Sequence, residues 1–266
     1  MVNVAVLGVT GRMGRCLVRA IREAPDLTLS GALASPDSAA LGRDAGDVAE
    51  CGPVGVEVTS DRLVALERAD VAIDFTLPDV TLDNLAVAGA QGIPMVVGTT
   101  GLTNAHHEAL RVASRGVAVL FAPNMSLGMN LLFSLVAQAA AALPADYDIE
   151  IIEAHHRHKV DAPSGTALRI GEIAAGARKT TLQGSGVYSR MGNTGPRPDG
   201  SIGFATVRGG DIVGDHTVLF AATGERLEIS HRASDRMTFA YGALQAARWL
   251  AGRPPGMYGM ADVLDL

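Results

Sequence analysis

The sequence has few of the residues that mark disulfide-rich, metal-binding or membrane proteins. Only two of its 266 residues are cysteine, Cys16 and Cys51, and two distant cysteines make neither a disulfide framework nor a cysteine zinc site. No apolar run reaches the roughly 20 residues that a bilayer-spanning helix needs. The opening apolar stretch runs directly into a glycine turn, so we expect no signal peptide. A cytoplasmic protein with no membrane partner is the resulting expectation.

The sequence also lacks an excess of positive charge. It has 22 basic and 28 acidic residues, a net charge of −6, and only 4% aromatic residues. Nucleic-acid binding proteins present a basic face to phosphate, so no nucleic-acid partner is expected. The 48% hydrophobic and 19% charged residues are those of an ordinary globular chain. A local cluster of cations can still attract a small anionic substrate.

Short apolar runs alternate with helical patterns in the first half of the chain. The first run is VNVAVLG, and it is followed by a glycine turn and by RCLVRAIREA, which has helical spacing. Later runs of the same kind are LTLSGALA, VAIDFT, PMVVGTTG and VAVLFAPN. Strands that alternate with helices predict a Rossmann-like, doubly wound parallel sheet of the α/β class.

The pattern changes after Asn124. A helical stretch is followed by the strand-like DIEIIEAHH, by a loop-like segment at 184–203, and by several strand-like runs between Gly and Asp turns. This pattern predicts a smaller α+β domain with a mixed sheet. The helical MTFAYGALQAARWLAG then returns the chain to the first domain. We therefore expect a dinucleotide-binding domain at 1–126 and 236–266, and a substrate-binding and oligomerisation domain at 127–235.

Gly8, Gly11 and Gly14 lie between the first strand and the first helix. At such a turn the helix N-terminus faces a pyrophosphate, and glycine lets the phosphate approach the backbone. The spacing is G-x-x-G-x-x-G and not the G-x-G-x-x-G of the common dinucleotide fingerprint, so a plain strand-to-helix turn is the alternative. Arg12 could add a charged contact to phosphate.

The end of the second strand lacks the acid that usually holds the ribose of NAD. Ser35 occupies the expected position, and no arginine that could bind a 2′-phosphate stands nearby. The choice between NADH and NADPH therefore stays open. Two further turns, GTTG at 98–101 and APNMS at 122–126, follow apolar strands. Ligands of open α/β sheets bind beyond the carboxyl ends of strands, which places both turns near the nicotinamide.

The stretch EAHHRHKVDAPSGTA, residues 153–167, has the densest chemistry in the chain. A metal site is disfavoured, because neighbouring side chains of an extended strand point to opposite faces. Acid–base chemistry is favoured, because an extended segment would put His155 and Lys159 on one face, where they could supply a proton and a positive charge. The helix that opens at PSGTA offers backbone amides and hydroxyls to a carboxylate.

These residues resemble the bacterial dihydrodipicolinate reductase (4-hydroxy-tetrahydrodipicolinate reductase) family along nearly the whole chain. The most specific matching stretch is EIIEAHHRHKVDAPSGTA, and GFATVRGGDIVGDHTV is also characteristic. The remaining matches are VAVLGVTGRMG, VAIDFT, VVGTTG, FAPNMSLGMN and the closing DVLDL. The resemblance implies a homotetramer that reduces a cyclic imine dicarboxylate with NADH or NADPH, in lysine and diaminopimelate biosynthesis.

The resemblance also implies roles for individual residues. His155 is expected to be the proton donor and Lys159 the second catalytic residue. The residues expected to contact the dicarboxylate substrate are His156, Ser164, Gly165 and Thr166. Those expected at the cofactor are Gly8, Val9, Thr10, Gly11, Arg12 and Met13 at the pyrophosphate, Ser35 at the ribose, and Gly98, Thr99, Thr100, Ala122, Pro123, Asn124 and Met125 nearer the nicotinamide. No metal ligand is expected. The sequence departs from a common version of the family at Ser35–Pro36, where that version has Glu-Arg.

Two other functions fit parts of the pattern. One is an NAD(P)-dependent dehydrogenase of another small anionic substrate, such as an amino or imino acid. The other is a non-catalytic nucleotide sensor that keeps the glycine turn, which would bind the cofactor without oxidising it and would not need His155 together with Lys159.

Overall fold

The computed structural model describes residues 1–266, which form two compact units. The first unit is made of Met1–Leu127 and Arg236–Leu266, and the second unit is Gly128–Asp235. No helix is both long and apolar enough to cross a bilayer.

The elements alternate between strand and helix as far as residue 121. They are β1 (Val2–Leu7), α1 (Arg12–Glu23), β2 (Leu27–Leu33), α2 (Ala45–Val48), β3 (Val58–Thr59), α3 (Arg62–Leu66), β4 (Val71–Asp74), α4 (Pro78–Ala90), β5 (Met95–Val97), α5 (Asn104–Ala113) and β6 (Ala118–Phe121).

The second unit contains three helices and five strands, and the chain then adds three elements to the first unit. Those of the second unit are α6 (Leu127–Ala142), β7 (Asp148–His155), α7 (Gly165–Ala177), α8 (Leu182–Ser185), β8 (Gly186–Val187), β9 (Ile202–Arg208), β10 (Gly214–Ala222) and β11 (Glu225–Ala233). The closing elements are α9 (Met237–Leu250), β12 (Gly256–Tyr258) and α10 (Met260–Val263).

The first sheet has seven parallel strands in the order β12-β6-β5-β4-β1-β2-β3. The chain moves outward from β1 in one direction through β2 and β3, and in the other through β4, β5 and β6. Alternate residues of β1 belong to two separate cores, with Val4 and Val6 in one and Ala5 and Leu7 in the other. Both faces of the sheet are therefore covered, as expected for a doubly wound fold, and the order reverses beside β1, where such folds bind ligands.

The second sheet has five strands in the order β11-β10-β7-β9-β8. β10 is antiparallel to both β7 and β11, while β9 is parallel to both β7 and β8. One face of β7 packs through Ile149 and Ile151 into a core that also contains Leu132 of α6 and Ile170 of α7. The predicted fold class, a Rossmann-like parallel sheet with a smaller mixed-sheet α+β part, is confirmed.

Candidate active site

The glycine turn after β1 is shaped by close backbone contacts. Gly8 has φ of +88°, a backbone conformation that residues other than glycine rarely adopt. A Cβ on Gly14 would overlap the Gly8 carbonyl oxygen and would lie 2.6 Å from the Val9 Cα. α1 therefore starts directly against the turn, and its N-cap, Gly11, has no side chain to satisfy the first helical amides. An uncapped helix start beside a glycine turn fits the pyrophosphate of a dinucleotide.

The end of β2 lies next to this turn. The backbone N–H groups of Gly8 and Val9 both donate to the Leu33 carbonyl oxygen at 2.9 Å. Ser35 is exposed two residues after the strand ends, and its carbonyl accepts from the Ser38 N–H at 3.0 Å. The structure thus brings Ser35 near the glycine turn, in an open position where a ribose could reach it. Arg12 is exposed at the start of α1.

A buried carboxylate joins the ends of β4 and β5. Asp74 accepts hydrogen bonds from the Thr76 N–H at 2.7 Å and hydroxyl at 2.6 Å, from the Asn84 amide at 3.0 Å and from the Thr99 hydroxyl at 3.3 Å. Burial raises the pKa of Asp74 against these hydrogen bonds. The Thr99 hydroxyl, which also accepts from the Thr81 hydroxyl at 2.8 Å, is thus used inside the unit. Only the backbone of Thr99 remains to contact a cofactor.

The other residues of these turns differ in exposure. Gly98 is buried against the ring of Phe75, and its N–H donates to the Asp74 carbonyl at 2.8 Å, whereas Thr100 is exposed. After β6, Ala122 and Met125 are buried while Pro123 is exposed. The Asn124 side chain accepts from the Ser126 N–H at 3.0 Å, which holds this turn in shape. Sequence reasoning did not assign a role to Asp74; an acid inside the apolar run VAIDFT was the available signal.

A cluster of polar side chains lies on the covered face of the mixed sheet. Glu153 and His155 are two residues apart on β7, and the strand pairing sets Thr206 beside Glu153 and Arg208 beside His155. On the other side, β10 sets His216 beside Glu153. Glu153, His155 and His216 are 1%, 9% and 3% exposed, so this is a buried polar cluster and needs internal partners.

Glu153 is the centre of that cluster. Its two oxygens accept from the two Nη atoms of Arg208 at 2.8 Å each, and one oxygen lies 2.6 Å from His155 Nδ1. The Ser164 N–H donates to it at 3.1 Å and the Thr206 hydroxyl at 3.3 Å. Burial works to raise the pKa of Glu153, but the hydrogen bonds from Arg208, His155 and Ser164 outweigh it and hold the pKa below its usual range.

The two buried histidines are both biased toward the neutral form. Burial lowers the pKa of His155 although Glu153 acts in the opposite direction, and the charges of Lys159 and Arg208 add to the lowering. Burial and the neighbouring His155 lower the pKa of His216 to about 4. The two rings meet edge to face with centroids 5.1 Å apart.

Lys159 is not on the strand that carries His155. β7 ends at His155, and the Lys159 N–H donates back to the His156 carbonyl at 3.1 Å, which makes a turn. The expectation that one extended segment puts both side chains on one face is therefore wrong. The turn still leaves Lys159 close enough for its charge to act on His155, and its Nζ lies 2.9 Å from Asp161 Oδ1. His156, in the same turn, is half-buried.

The start of α7 lies against this cluster. Ser164 is its N-cap, and its hydroxyl accepts from the Ala167 N–H at 3.1 Å and lies 3.1 Å from His216 Nε2. Ser164 is buried, Gly165 is exposed with open space around it, and Thr166 is half-buried. The helix thus presents Gly165 and Thr166 outward, while Ser164 connects the helix to Glu153 and His216. Glu153, Arg208 and His216 were not identified as site residues from the sequence.

Comparisons with known proteins agree along the full chain. The profile of "Dihydrodipicolinate reductase, N-terminus" matches residues 2–125, and that of "Dihydrodipicolinate reductase, C-terminus" matches residues 128–264. The 4-hydroxy-tetrahydrodipicolinate reductase of Nitrosomonas eutropha is 56% identical over 266 residues, which is 100% of this chain and 99% of the relative. That of Pseudomonas fluorescens is 54% identical over 267 residues and 100% of both chains.

A solved structure has the same fold. The dipicolinate-bound dihydrodipicolinate reductase from Paenisporosarcina sp. TG-14 superposes with a TM-score of 0.77 at 25% identity, covering 98% of each chain. The resemblance inferred from the motifs is confirmed by these matches. The chain belongs to the dihydrodipicolinate reductase family.

Proposed function

We propose that the chain catalyses the NADH- or NADPH-dependent reduction of 4-hydroxy-tetrahydrodipicolinate to tetrahydrodipicolinate in lysine and diaminopimelate biosynthesis. Overall, one hydride and one proton are added and the 4-hydroxyl group leaves as water. Relatives named for this reductase match the chain end to end. The observation that carries the proposal is the environment of His155, a buried imidazole that is hydrogen-bonded to a carboxylate and is close enough to Lys159 to be affected by its charge.

The first unit is assigned to dinucleotide binding. When bound, the nicotinamide supplies the hydride. The glycine turn and the uncapped start of α1 hold the pyrophosphate through backbone N–H groups, and exposed Ser35 meets the adenosine ribose. The residues assigned to the cofactor are Gly8, Val9, Thr10, Gly11, Arg12, Met13, Ser35, Gly98, Thr99, Thr100, Ala122, Pro123, Asn124 and Met125.

The second unit is assigned to the dicarboxylate substrate. Gly165 and Thr166 offer helix-start N–H groups and a hydroxyl to one carboxylate, where the helix dipole also favours negative charge. Lys159 and His156 contact the substrate from the turn after β7. Ser164 contributes through its position, because its hydroxyl is already bonded to the helix and to His216.

His155 donates the proton. Its Nδ1 is bonded to Glu153, so the proton to be transferred is held at Nε2. Transfer from a positioned acid neutralises the charge that develops on the substrate and typically contributes about a hundred- to ten-thousandfold in rate. Lys159 stabilises that charge and also acts as a second donor.

The test is oxidation of NADH and of NADPH by the purified chain with the substrate generated in place. We expect oxidation with this substrate and loss of most turnover in His155→Ala, while cofactor affinity, followed by NADH fluorescence, stays near that of the unchanged protein. Cofactor binding without oxidation would refute the proposal and leave a nucleotide-binding protein. Unchanged turnover in the variant would remove His155 from the mechanism.

We also propose that the chain forms a homotetramer through the open face of the mixed sheet. On this face, opposite Glu153 and His155, Ile152 is 41% and Val207 is 48% exposed, and apolar side chains on an uncovered sheet favour a protein partner. Sedimentation should show a tetramer that Ile152→Glu weakens. Leu63→Glu, which changes an even more exposed apolar residue of the first unit, should leave the mass unchanged. A monomer at micromolar concentration would refute this assembly.

The cytoplasm is the proposed compartment, because the reduced dinucleotide that the reaction consumes is regenerated there. Fractionation of cells that express the tagged chain from its own promoter would test it, and recovery with the envelope would contradict it.

A further inference from the structure

Glu153 makes more hydrogen bonds than would be needed only to hold its strand in place. It is 1% exposed and binds a backbone amide at the start of α7, a hydroxyl and a guanidinium of β9, and an imidazole of its own strand. We infer that Glu153 is a positioning residue that fixes the ring and the tautomer of His155 and makes the charged imidazolium the form that the dicarboxylate-bound enzyme uses. This inference rests on the proposed role of His155 as proton donor.

Arg208 keeps Glu153 ionised and immobile. Its two Nη atoms take one carboxylate oxygen each at 2.8 Å, and one of them also donates to the Asp161 carbonyl at 2.7 Å. A two-point contact of this kind sets the plane of the carboxylate as well as its charge. Because every other partner of Glu153 is a donor, the carboxylate acts only as an acceptor.

An acceptor at 2.6 Å from Nδ1 decides where the ring proton of His155 resides. The neutral ring must carry its single proton on Nδ1, since an unprotonated Nδ1 would face a carboxylate lone pair. Nε2 of the neutral ring then has no proton to give. His155 becomes a donor only when a second proton binds at Nε2 and the ring is cationic.

The charges around His155 are balanced so that the substrate can control this second proton. The titratable and charged groups that face it, from β7, the following turn, β9 and β10, are Glu153, Lys159, Arg208 and His216, and Asp161 is paired with Lys159. Burial and the two cations oppose the imidazolium, and Glu153 favours it. A bound dicarboxylate adds two negative charges beside Lys159 and therefore raises the pKa of His155. His216 does not compete for the proton, because its own pKa is about 4.

The first test is the pH dependence of kcat in Glu153→Gln, which removes the charge with little change of size. An acid catalyst loses activity as the pH rises through its pKa. Without the carboxylate the imidazolium is less stable, so the falling limb should move to lower pH by about one unit or more. We expect kcat at neutral pH to fall by roughly tenfold or more, with a smaller change in the KM for the dicarboxylate.

Glu150→Gln is the matched control. Glu150 lies on the same strand and is also held by a two-point contact, from Arg190 at 2.8 and 2.7 Å, but it lies on the opposite face and has no histidine partner. The pH limb should keep its position in this variant. A Glu153→Gln enzyme that is slower at every pH with an unmoved limb would overturn the inference and leave Glu153 with a structural role only.

The second test does not depend on a Glu153 variant that folds. Imidazole ¹⁵N shifts of the unchanged enzyme, with the His155 signals identified by their loss in His155→Gln, should show the Nδ1–H tautomer in the absence of ligand. Adding pyridine-2,6-dicarboxylate at neutral pH should convert His155 to the imidazolium, with proton uptake visible as a buffer-dependent heat of binding. An Nε2–H tautomer, or a dicarboxylate complex with neutral His155, would overturn the inference.

Failure of this inference differs from failure of the proposed function. If the unchanged chain does not oxidise NADH or NADPH with the substrate, the proposed function is wrong. If the chain oxidises the cofactor but the pH limb of Glu153→Gln or the tautomer of His155 contradicts the expectation, only the role of Glu153 is wrong. In Glu153→Asp the falling limb of the pH profile should move less than in Glu153→Gln, because the charge remains while the side chain is one methylene shorter.

Discussion

His216 should make the second unit sensitive to acid. It is 3% exposed, and its pKa lies near 4 in the folded chain against an ordinary value of 6.5. Below pH 6.5 the unfolded chain binds a proton at this residue and the folded chain does not. Stability from this residue is therefore fully present above about pH 6.5 and is lost as the pH falls toward 4.

The size of the effect follows from the two pKa values of His216. A difference of about 2.5 pKa units at about 1.36 kcal/mol each corresponds to about 3.4 kcal/mol in total. At pH 4.5 the linkage relation gives a loss of about 2.5 kcal/mol relative to pH 7. That is a large part of the 5–15 kcal/mol that typically stabilises a domain, so urea unfolding should detect it.

The measurement compares the unchanged chain with His216→Gln by urea unfolding, followed by circular dichroism, at pH 7 and pH 4.5. Glutamine can keep the hydrogen bond to the Ser164 hydroxyl, which His216 makes through Nε2 at 3.1 Å, and it does not titrate. Other groups, His155 and His231 among them, also have lowered pKa values, so both proteins should lose stability in acid. The variant should lose about 2.5 kcal/mol less. Equal losses in the two proteins would show that His216 is not a neutral buried residue.

Three further changes test the two sites separately. Gly14→Ala should weaken dinucleotide binding by tenfold or more and lower the unfolding midpoint, because its Cβ would lie 2.6 Å from the Val9 backbone. Gly176→Ala, in open space on α7, should change neither the binding nor the midpoint. Normal dinucleotide binding by Gly14→Ala would disprove the close contact. Ser35→Glu should shift the ratio of kcat/KM toward NADH over NADPH, because a carboxylate binds ribose hydroxyls and repels a 2′-phosphate; an unmoved ratio would mean that Ser35 does not contact the ribose. Thr166→Val should raise the KM for the dicarboxylate by about ten- to a hundredfold through loss of a hydrogen bond to a charged group. Thr180→Val, at an exposed position, should leave the KM unchanged. An unchanged KM in Thr166→Val would limit the hydroxyl to helix capping.

Local sequence patterns determined the fold class and much of its order. The strands β1, β2, β4, β5, β6 and β7 and the helices α1, α4, α6 and α9 all correspond to runs whose periodicity is visible in the sequence. Such patterns work because a buried parallel strand is apolar throughout and a helix repeats every 3.6 residues, whatever the partner is. The short strands β3, β8 and β12 were missed, because two or three residues carry no usable period. β8 and the first residues of β9 lie in the segment predicted to be a loop.

Sequence motifs also located most of the chemistry. The glycine turn, the histidine-rich stretch and the start of α7 are each contiguous in the chain, so their residue types and spacing could be read directly. The prediction that His155 and Lys159 lie on one face of a continuing strand was wrong, because the chain turns after His155.

Only the tertiary structure decided which residues surround His155. Arg208 is 55 residues from Glu153 in the chain, and His216 is 52 residues from Ser164. Their contacts depend on β9 and β10 pairing on either side of β7 in one register, and a shift by one residue would turn each of these side chains to the other face. A glutamate in a strand pattern reads as a solvent-facing residue until that pairing is known. Burial of its charge between an arginine and a histidine is a property of the assembled sheet. Exclusion of water by the neighbouring strands lowers the pKa of His155, whereas the hydrogen bonds that these strands bring to Glu153 hold its pKa below the usual range in spite of burial.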